Sequence, residues 1–263
     1  MRNVLVVYRI LYGTDFLERS IRSVLAGADR VFVGYSSEPW TRPKPFTDVR
    51  EIEVSPREVI DQHFDDKVVA AYYHYDSPRN QFKLLRHEAI KYLEEYYITV
   101  FMEPDMVWAP GYFEKFIDEF KHRRENYQSA PQIELWKTNE WRIPQRKRLG
   151  ATAYKGMIPT LGFGQQPADG DVSVISQFGH FNFGFCLNEQ TMRYKHEAAL
   201  DFSAKIGDSV PAQHWYEEKW LNWTPHTMNL EPSANHTHKI PQALPYEMPI
   251  EMREYMDENP IKN

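Results

Sequence analysis

Two carboxylates follow a short apolar run: Glu103 and Asp105, separated by Pro104, come directly after residues 98–102, which read Ile-Thr-Val-Phe-Met. A continuous β-branched and aromatic run is typical of a strand buried on both faces. In open α/β sheets, ligands bind at the carboxyl ends of such strands. Carboxylates at that edge can hold a hard divalent cation that bridges phosphate oxygens. The pattern therefore predicts a metal and phosphate site.

A pair of histidines, His236 and His238, lies late in the chain. On an extended segment, residues two apart point to the same side, so both rings could face one site. An imidazole nitrogen can complete a shell of carboxylates and water, and His238 is slightly preferred. Surface or stacking histidines explain the pair equally well. Zinc is less favoured because the chain has one cysteine, Cys186.

The first 35 residues predict a strand, a helix and a second strand. Residues 3–8 form the first apolar run, and residues 31–33 form the next. Between them, Asp15 is expected to cap a helix, with Glu18 completing a capping box and Gly27 ending the helix. This β-α-β order implies parallel strands with a right-handed crossover.

Further elements follow from the same patterns. A helix from Asn80 leads into the strand at residue 98, and Pro110 opens another helix. The segment 150–170 is expected to be irregular. Helical patterns return at 189–205 and 212–222.

Composition excludes several classes of protein. With 263 residues, 42% of them hydrophobic, the chain can bury a sizeable core. A formal net charge of −6 argues against nonspecific nucleic-acid binding. Its apolar runs are far shorter than the roughly 20 residues of a membrane helix, and no signal peptide is recognisable. The expectation is a cytoplasmic protein with no transmembrane segment.

Four segments together resemble family 2 glycosyltransferases. Residues 8–25 look like the first strand of that family running into an acid-capped helix, and residues 29–33 resemble its second strand. Residues 77–80, Ser-Pro-Arg-Asn, resemble its arginine-asparagine step, and 103–105 stand where the family has Asp-X-Asp. The resemblance covers roughly residues 3–120.

The resemblance implies an α/β, GT-A-like fold with a mostly parallel central sheet flanked by helices. One domain would span residues 1–240, with a nucleotide-sugar-binding half at 1–110 and an acceptor half at 111–240. A C-terminal arm would span 241–263.

The implied activity is metal-dependent transfer of a sugar from a nucleotide-diphosphate sugar to a saccharide or other hydroxyl acceptor, with inversion. The cation would be manganese or magnesium, held by Asp105 and by His238 or His236. The residues expected to bind the donor are Tyr8, Arg9, Tyr35, Arg79, Glu103 and Asp105.

Inverting transfer also needs a general base near the acceptor hydroxyl. The candidates are Asp201, Asp208, Glu217 and Glu218; Glu217 is preferred, with Asp208 as the second choice. The chain departs from the family here, because Gln213-His214 stand where an acid pair is expected. It departs again after the second strand, where Tyr35 replaces the usual aspartate.

Two other functions remain open. A sugar nucleotidyltransferase uses a similar fold and cation, but the residues after the first strand are a poor version of its Gly-rich loop. A non-catalytic carbohydrate- or nucleotide-binding protein with this fold would explain the missing acid pair.

Overall fold

A computed structural model gives the fold of the chain. It describes residues 4–36, 53–74, 84, 87, 91, 97–144, 149–155, 174–206, 214–230 and 242–259. Most of the predicted helix from Asn80 and most of the segment 150–170 lie outside these residues.

The elements are named here in chain order. The strands are β1 (Val4–Ile10), β2 (Arg30–Tyr35), β3 (Val68–Tyr72), β4 (Ile98–Met102), β5 (Met106–Trp108), β6 (Tyr127–Trp136), β7 (Thr138–Arg142), β8 (Leu149–Lys155), β9 (Val174–Ile175), β10 (His180–Phe185) and β11 (Leu244–Pro245). The helices are α1 (Leu17–Leu25), α2 (Pro56–His63), α3 (Tyr112–Lys121), α4 (Glu189–Ile206) and α5 (Ile250–Glu258), and a π-helix spans Tyr216–Leu221.

Four parallel strands form the centre of the sheet, in the order β3-β2-β1-β4. The apolar runs of β1 and β4 are almost wholly buried, as predicted for strands covered on both faces. Beyond β4 the sheet continues through the antiparallel strands β8 and β6. The predicted fold class, α/β with a mostly parallel central sheet flanked by helices, is confirmed.

The start of α1 differs from the predicted capping box. A 3-10 turn, Thr14–Phe16, precedes the helix, and Phe16 is an N-cap without a side-chain hydrogen bond. Asp15 instead accepts a hydrogen bond from Asn188 Nδ2 at 2.7 Å. The predicted capping box was wrong because Asn188, which is distant in the sequence, donates a hydrogen bond to the Asp15 carboxylate.

The segment from residue 150 was expected to be irregular, but its first residues belong to strand β8. Its residues pair with β4 on one side and β6 on the other, so tertiary pairing overrides the local glycine signal. Gly150 is needed there because a Cβ would lie 2.0 Å from His180 Nε2.

A second layer attaches to the sheet through β6. The first half of β6 pairs with β8, and its second half pairs in parallel with β10, which also pairs with β5. A second core cluster, rich in aromatic residues, lies here and includes Trp136, Phe183, Trp215 and Trp220. This layer brings β10 next to the turn that follows β4.

The C-terminal segment packs on the body of the protein. Met248 and Met252 are buried in the second core cluster, and the Tyr255 hydroxyl donates to the Arg19 carbonyl at 2.7 Å. The domain division at residue 240 stays a prediction. Within the described ranges, no helix has the length and apolar character needed to cross a membrane.

Candidate active site at the carboxyl edge of the sheet

Arg9 and Glu103 meet where β1 and β4 end. The register pairs Tyr8 with Met102, so the next residue of each strand reaches the same edge. Arg9 Nη2 donates to Glu103 Oε1. The Glu103 side chain is 39% exposed, whereas that of Arg9 is 14% exposed. Arg9 therefore orients a carboxylate that solvent, or a ligand, can reach.

Asp105 lies inside the tight turn that follows β4. Met106 N–H donates to the Glu103 carbonyl at 3.2 Å, and Phe183 N–H donates to the Asp105 carbonyl at 2.8 Å. These bonds fix the backbone of the turn against β10. The Asp105 side chain is only 8% exposed. Its Oδ1 is buried and has no hydrogen-bond partner among the described residues.

Burial raises the pKa of Asp105 from 3.8 to about 6. The positive charge of Lys195 opposes this rise, the negative charge of Glu103 adds to it, and the charge of Arg9 opposes it. At neutral pH the group is a buried carboxylate whose charge its surroundings do not fully compensate. Such a group gains from a further cation.

Lys195 comes from α4, far away in the sequence, and places its ammonium beside Asp105. Nζ lies 3.9 Å from Asp105 Oδ2 and donates to the Gly184 carbonyl at 2.6 Å. The rings of Tyr12 and Phe185 flank it, with centroids 5.6 and 5.3 Å from Nζ. The ammonium is therefore held in one place next to the carboxylate.

Gly184 makes this close approach possible. A Cβ at this position would lie 2.8 Å from Asp105 Oδ2 and 2.9 Å from Lys195 Nζ. Its N–H donates to Asn182 Oδ1 at 2.8 Å. The structure shows the approach at Gly184, where the neighbours are the site's own charged groups.

A clamp on the loop after β1 borders the site. Glu53 accepts hydrogen bonds from the N–H groups of Gly13 and Thr14 and from the hydroxyls of Thr14 and Thr191. Burial raises the pKa of Glu53, and these four donors oppose the rise. Gly13 has a φ of 91°, and a Cβ there would lie 3.3 Å from Pro104 Cγ. The clamp thus fixes the loop against the turn that carries Asp105.

The two tyrosines predicted to bind the donor have different positions. Tyr8 is fully buried in the core, and its hydroxyl lies 2.9 Å from Ser20 Oγ. Tyr35 ends β2 at the same edge as Ile10 and packs edge-on against Tyr72, with ring centroids 5.6 Å apart. Of the two, only Tyr35 stands at the edge that carries Glu103.

Glu217 is exposed on the π-helix. Its charge acts on Arg193 of α4. Arg193 and Lys195 are two positions apart, which on an α-helix means about 200° of rotation. Glu217 and Asp105 therefore approach α4 from different sides. The second choice of base, Asp208, and the predicted ligands Arg79, His236 and His238 lie outside the described residues.

Among the residues that the structure describes, no group of three or more His, Cys, Asp or Glu side chains could hold a metal ion. The carboxylate that fits a cation is that of Asp105, because its buried Oδ1 needs a partner. Glu103, two residues earlier, is a second carboxylate nearby. Carboxylate oxygens suit Mg²⁺ and Mn²⁺.

Comparisons with known proteins find similar chains among solved structures. No protein-family model matches this chain. No curated protein matches it either. Among solved structures it is similar to 4-diphosphocytidyl-2C-methyl-D-erythritol synthase from Anaerococcus prevotii, with a TM-score of 0.43 and 9% identity over 73% of this chain and 96% of that one.

Two further solved structures are similar. One is CMP:2-keto-3-deoxy-manno-octonic acid synthetase complexed with CTP, with a TM-score of 0.35 and 12% identity over 58% of this chain and 74% of that one. The other is GalNAc-T7 with UDP, GalNAc and Mn²⁺, with a TM-score of 0.36 and 10% identity over 51% of this chain and 24% of that one. The function is therefore inferred from the geometry of the site.

Sequence reasoning found Arg9, Glu103 and Asp105 but missed Lys195. That lysine stands in an ordinary polar stretch of α4, and no local pattern marks it. Only the contacts of Lys195 with the Gly184 carbonyl of β10 and with Asp105 reveal its position in the site.

Proposed function

We propose that the protein is a metal-dependent glycosyltransferase that moves a sugar from a nucleotide-diphosphate sugar to a hydroxyl acceptor, with inversion. One observation carries the proposal. Asp105 is a buried carboxylate at the carboxyl end of β4, and its Oδ1 has no hydrogen-bond partner among the described residues. In open α/β sheets this edge is where nucleotide ligands bind.

Asp105 would hold the cation. The raised pKa and the unpartnered oxygen both indicate a carboxylate that gains from an added positive charge. When bound, a divalent cation would supply charge stabilisation for the diphosphate leaving group. Lys195, at 3.9 Å from Oδ2, leaves Oδ1 free for that role.

Glu103 and Arg9 would act on the donor. Glu103 is the more exposed acid of the motif, and its ion pair with Arg9 fixes its orientation. A carboxylate held in this way can accept hydrogen bonds from ribose hydroxyls. Tyr35, at the same edge, offers a ring on which a nucleotide base could stack.

The general base is proposed to be Glu217, with Asp208 as the alternative. A single displacement with inversion requires a base that takes the proton of the acceptor hydroxyl. Glu217 is exposed to solvent, from which an acceptor would arrive, and it approaches α4 from a different side than Asp105, so the acceptor would have to reach across α4. His238 or His236 is proposed as a second ligand of the cation.

The test is a panel of nucleotide-diphosphate sugars incubated with the purified protein, with Mn²⁺, with Mg²⁺ and with EDTA. Release of nucleoside diphosphate is measured for the native protein and for the variants Asp105→Asn and Asp118→Asn. Asp118 is a matched control because it is an exposed aspartate on α3. We expect metal-dependent release that is lost in D105N and kept in D118N.

Two alternative outcomes would overturn the proposal. Release of pyrophosphate from a nucleoside triphosphate and a sugar phosphate would establish a sugar nucleotidyltransferase instead. Nucleotide binding without turnover of any donor would establish a non-catalytic binding protein.

A further inference from the structure

We infer that the Lys195 ammonium binds a phosphate oxygen of the donor diphosphate. The inference rests on the proposed function in taking a diphosphate as the ligand. It adds a residue that no sequence motif marks and that lies on α4, outside the strand-end motif.

Lys195 has N–H donors to offer. An ammonium carries three of them. The Gly184 carbonyl accepts one at 2.6 Å. Asp105 Oδ2, at 3.9 Å, is within ion-pair distance but beyond hydrogen-bond distance. Lys195 can therefore donate to a ligand that enters beside Asp105.

The position of the ammonium also suits an anion. The rings of Tyr12 and Phe185 hold it from two sides, and the side chain is 24% exposed. A lysine fixed in this way loses little rotamer freedom on binding, so more of the interaction becomes affinity. It is also open enough for an anion to reach.

A diphosphate bound at this site would need a positively charged group beside it. The other cation of the site, Arg9, is already paired with Glu103. A diphosphate brings negative charge next to two carboxylates, Glu103 and Asp105, and this placement needs compensation. Lys195 can supply it together with a cation that Asp105 would hold.

The experiment uses inorganic pyrophosphate as the probe. Its affinity is measured by calorimetry with Mg²⁺ and again with EDTA, for the native protein, Lys195→Met and Lys115→Met. Lys115 is a matched control because its Nζ also lies near a tyrosine and a phenylalanine ring, at 5.5 and 5.9 Å, but on α3. We expect K195M to weaken binding at least tenfold, in line with the loss of a charge-assisted hydrogen bond, and K115M to leave it unchanged. Equal affinities of K195M and the native protein would overturn the inference.

A second measurement needs no variant and so does not depend on K195M folding. Reductive methylation of the native protein is followed at each lysine by peptide mass spectrometry, with and without pyrophosphate. We expect pyrophosphate to slow the modification of Lys195 but not that of Lys115. The same rate at Lys195 in both samples would overturn the inference.

The two proposals fail separately. Sugar transfer by a protein whose pyrophosphate affinity does not depend on Lys195 would leave the proposed function standing and remove this inference. Pyrophosphate binding through Lys195 without turnover of any nucleotide sugar would leave the role of Lys195 standing and remove the proposed function.

Discussion

Replacing Asp105 by asparagine should stabilise the metal-free protein at neutral pH. The pKa of Asp105 is raised from 3.8 to about 6, so the fold favours the protonated carboxyl. Its contribution to stability is fully present below pH 3.8 and is lost as the pH rises through 6. Asparagine imitates the protonated form at every pH.

The size of the effect follows from the two pKa values. The two pKa values differ by roughly two units, and each unit is worth about 1.4 kcal/mol. Ionisation of the carboxylate therefore lowers the free energy of unfolding by about 3 kcal/mol. The free energy of unfolding of D105N, relative to the native protein, should rise by about 2 kcal/mol between pH 4 and pH 7, because part of the effect is already present at pH 4. For a chain of this size that corresponds to roughly 4–8 °C in Tm.

The assay is urea unfolding in EDTA at a series of pH values, with Asp118→Asn as the control. Asp118 is 75% exposed, so D118N should stay within about 0.5 kcal/mol of the native protein throughout. Titrating groups that do not interact with Asp105 cancel in the difference between variant and native protein. A difference between D105N and the native protein that is the same at pH 4 and pH 7 would refute the reasoning.

Three further substitutions test the structure around the site. Gly184→Ala should abolish cation binding and destabilise the fold by about 1–3 kcal/mol, because its Cβ would lie 2.8 Å from Asp105 Oδ2; calorimetry and urea unfolding check this. Gly13→Ala should cost about 1–2 kcal/mol because of its φ of 91°, and thermal unfolding at a Tm equal to the native value would contradict this. Glu53→Gln should cost at least about 1 kcal/mol in urea unfolding, since an amide NH₂ would replace one acceptor oxygen facing four donors.

The sequence was informative where the chemistry is local. The β-branched run of β4 and the two acids after it predicted both the strand and its edge, because burial on two faces requires such a run. The β-α-β start likewise followed from hydrophobic periodicity. Asp105 could therefore be identified as a candidate from its position after that run alone.

Features that depend on distant contacts could not be predicted. The strand β8 contains a glycine near its start and is fixed by pairing on both sides. Asp15 accepts a hydrogen bond from Asn188 instead of capping α1, and Lys195 of α4 lies beside Asp105, where it donates to the Gly184 carbonyl of β10. In each case residues far apart in the sequence decide the outcome, and a local pattern contains no information about them.

The most direct test of the metal site is the binding of Mn²⁺, followed by electron paramagnetic resonance in the presence of a nucleoside diphosphate. We expect one saturable Mn²⁺ site in the native protein, lost in D105N and kept in D118N. Equal binding of Mn²⁺ by D105N and the native protein, or no binding by the native protein, would contradict the assignment of Asp105 as the ligand of the cation.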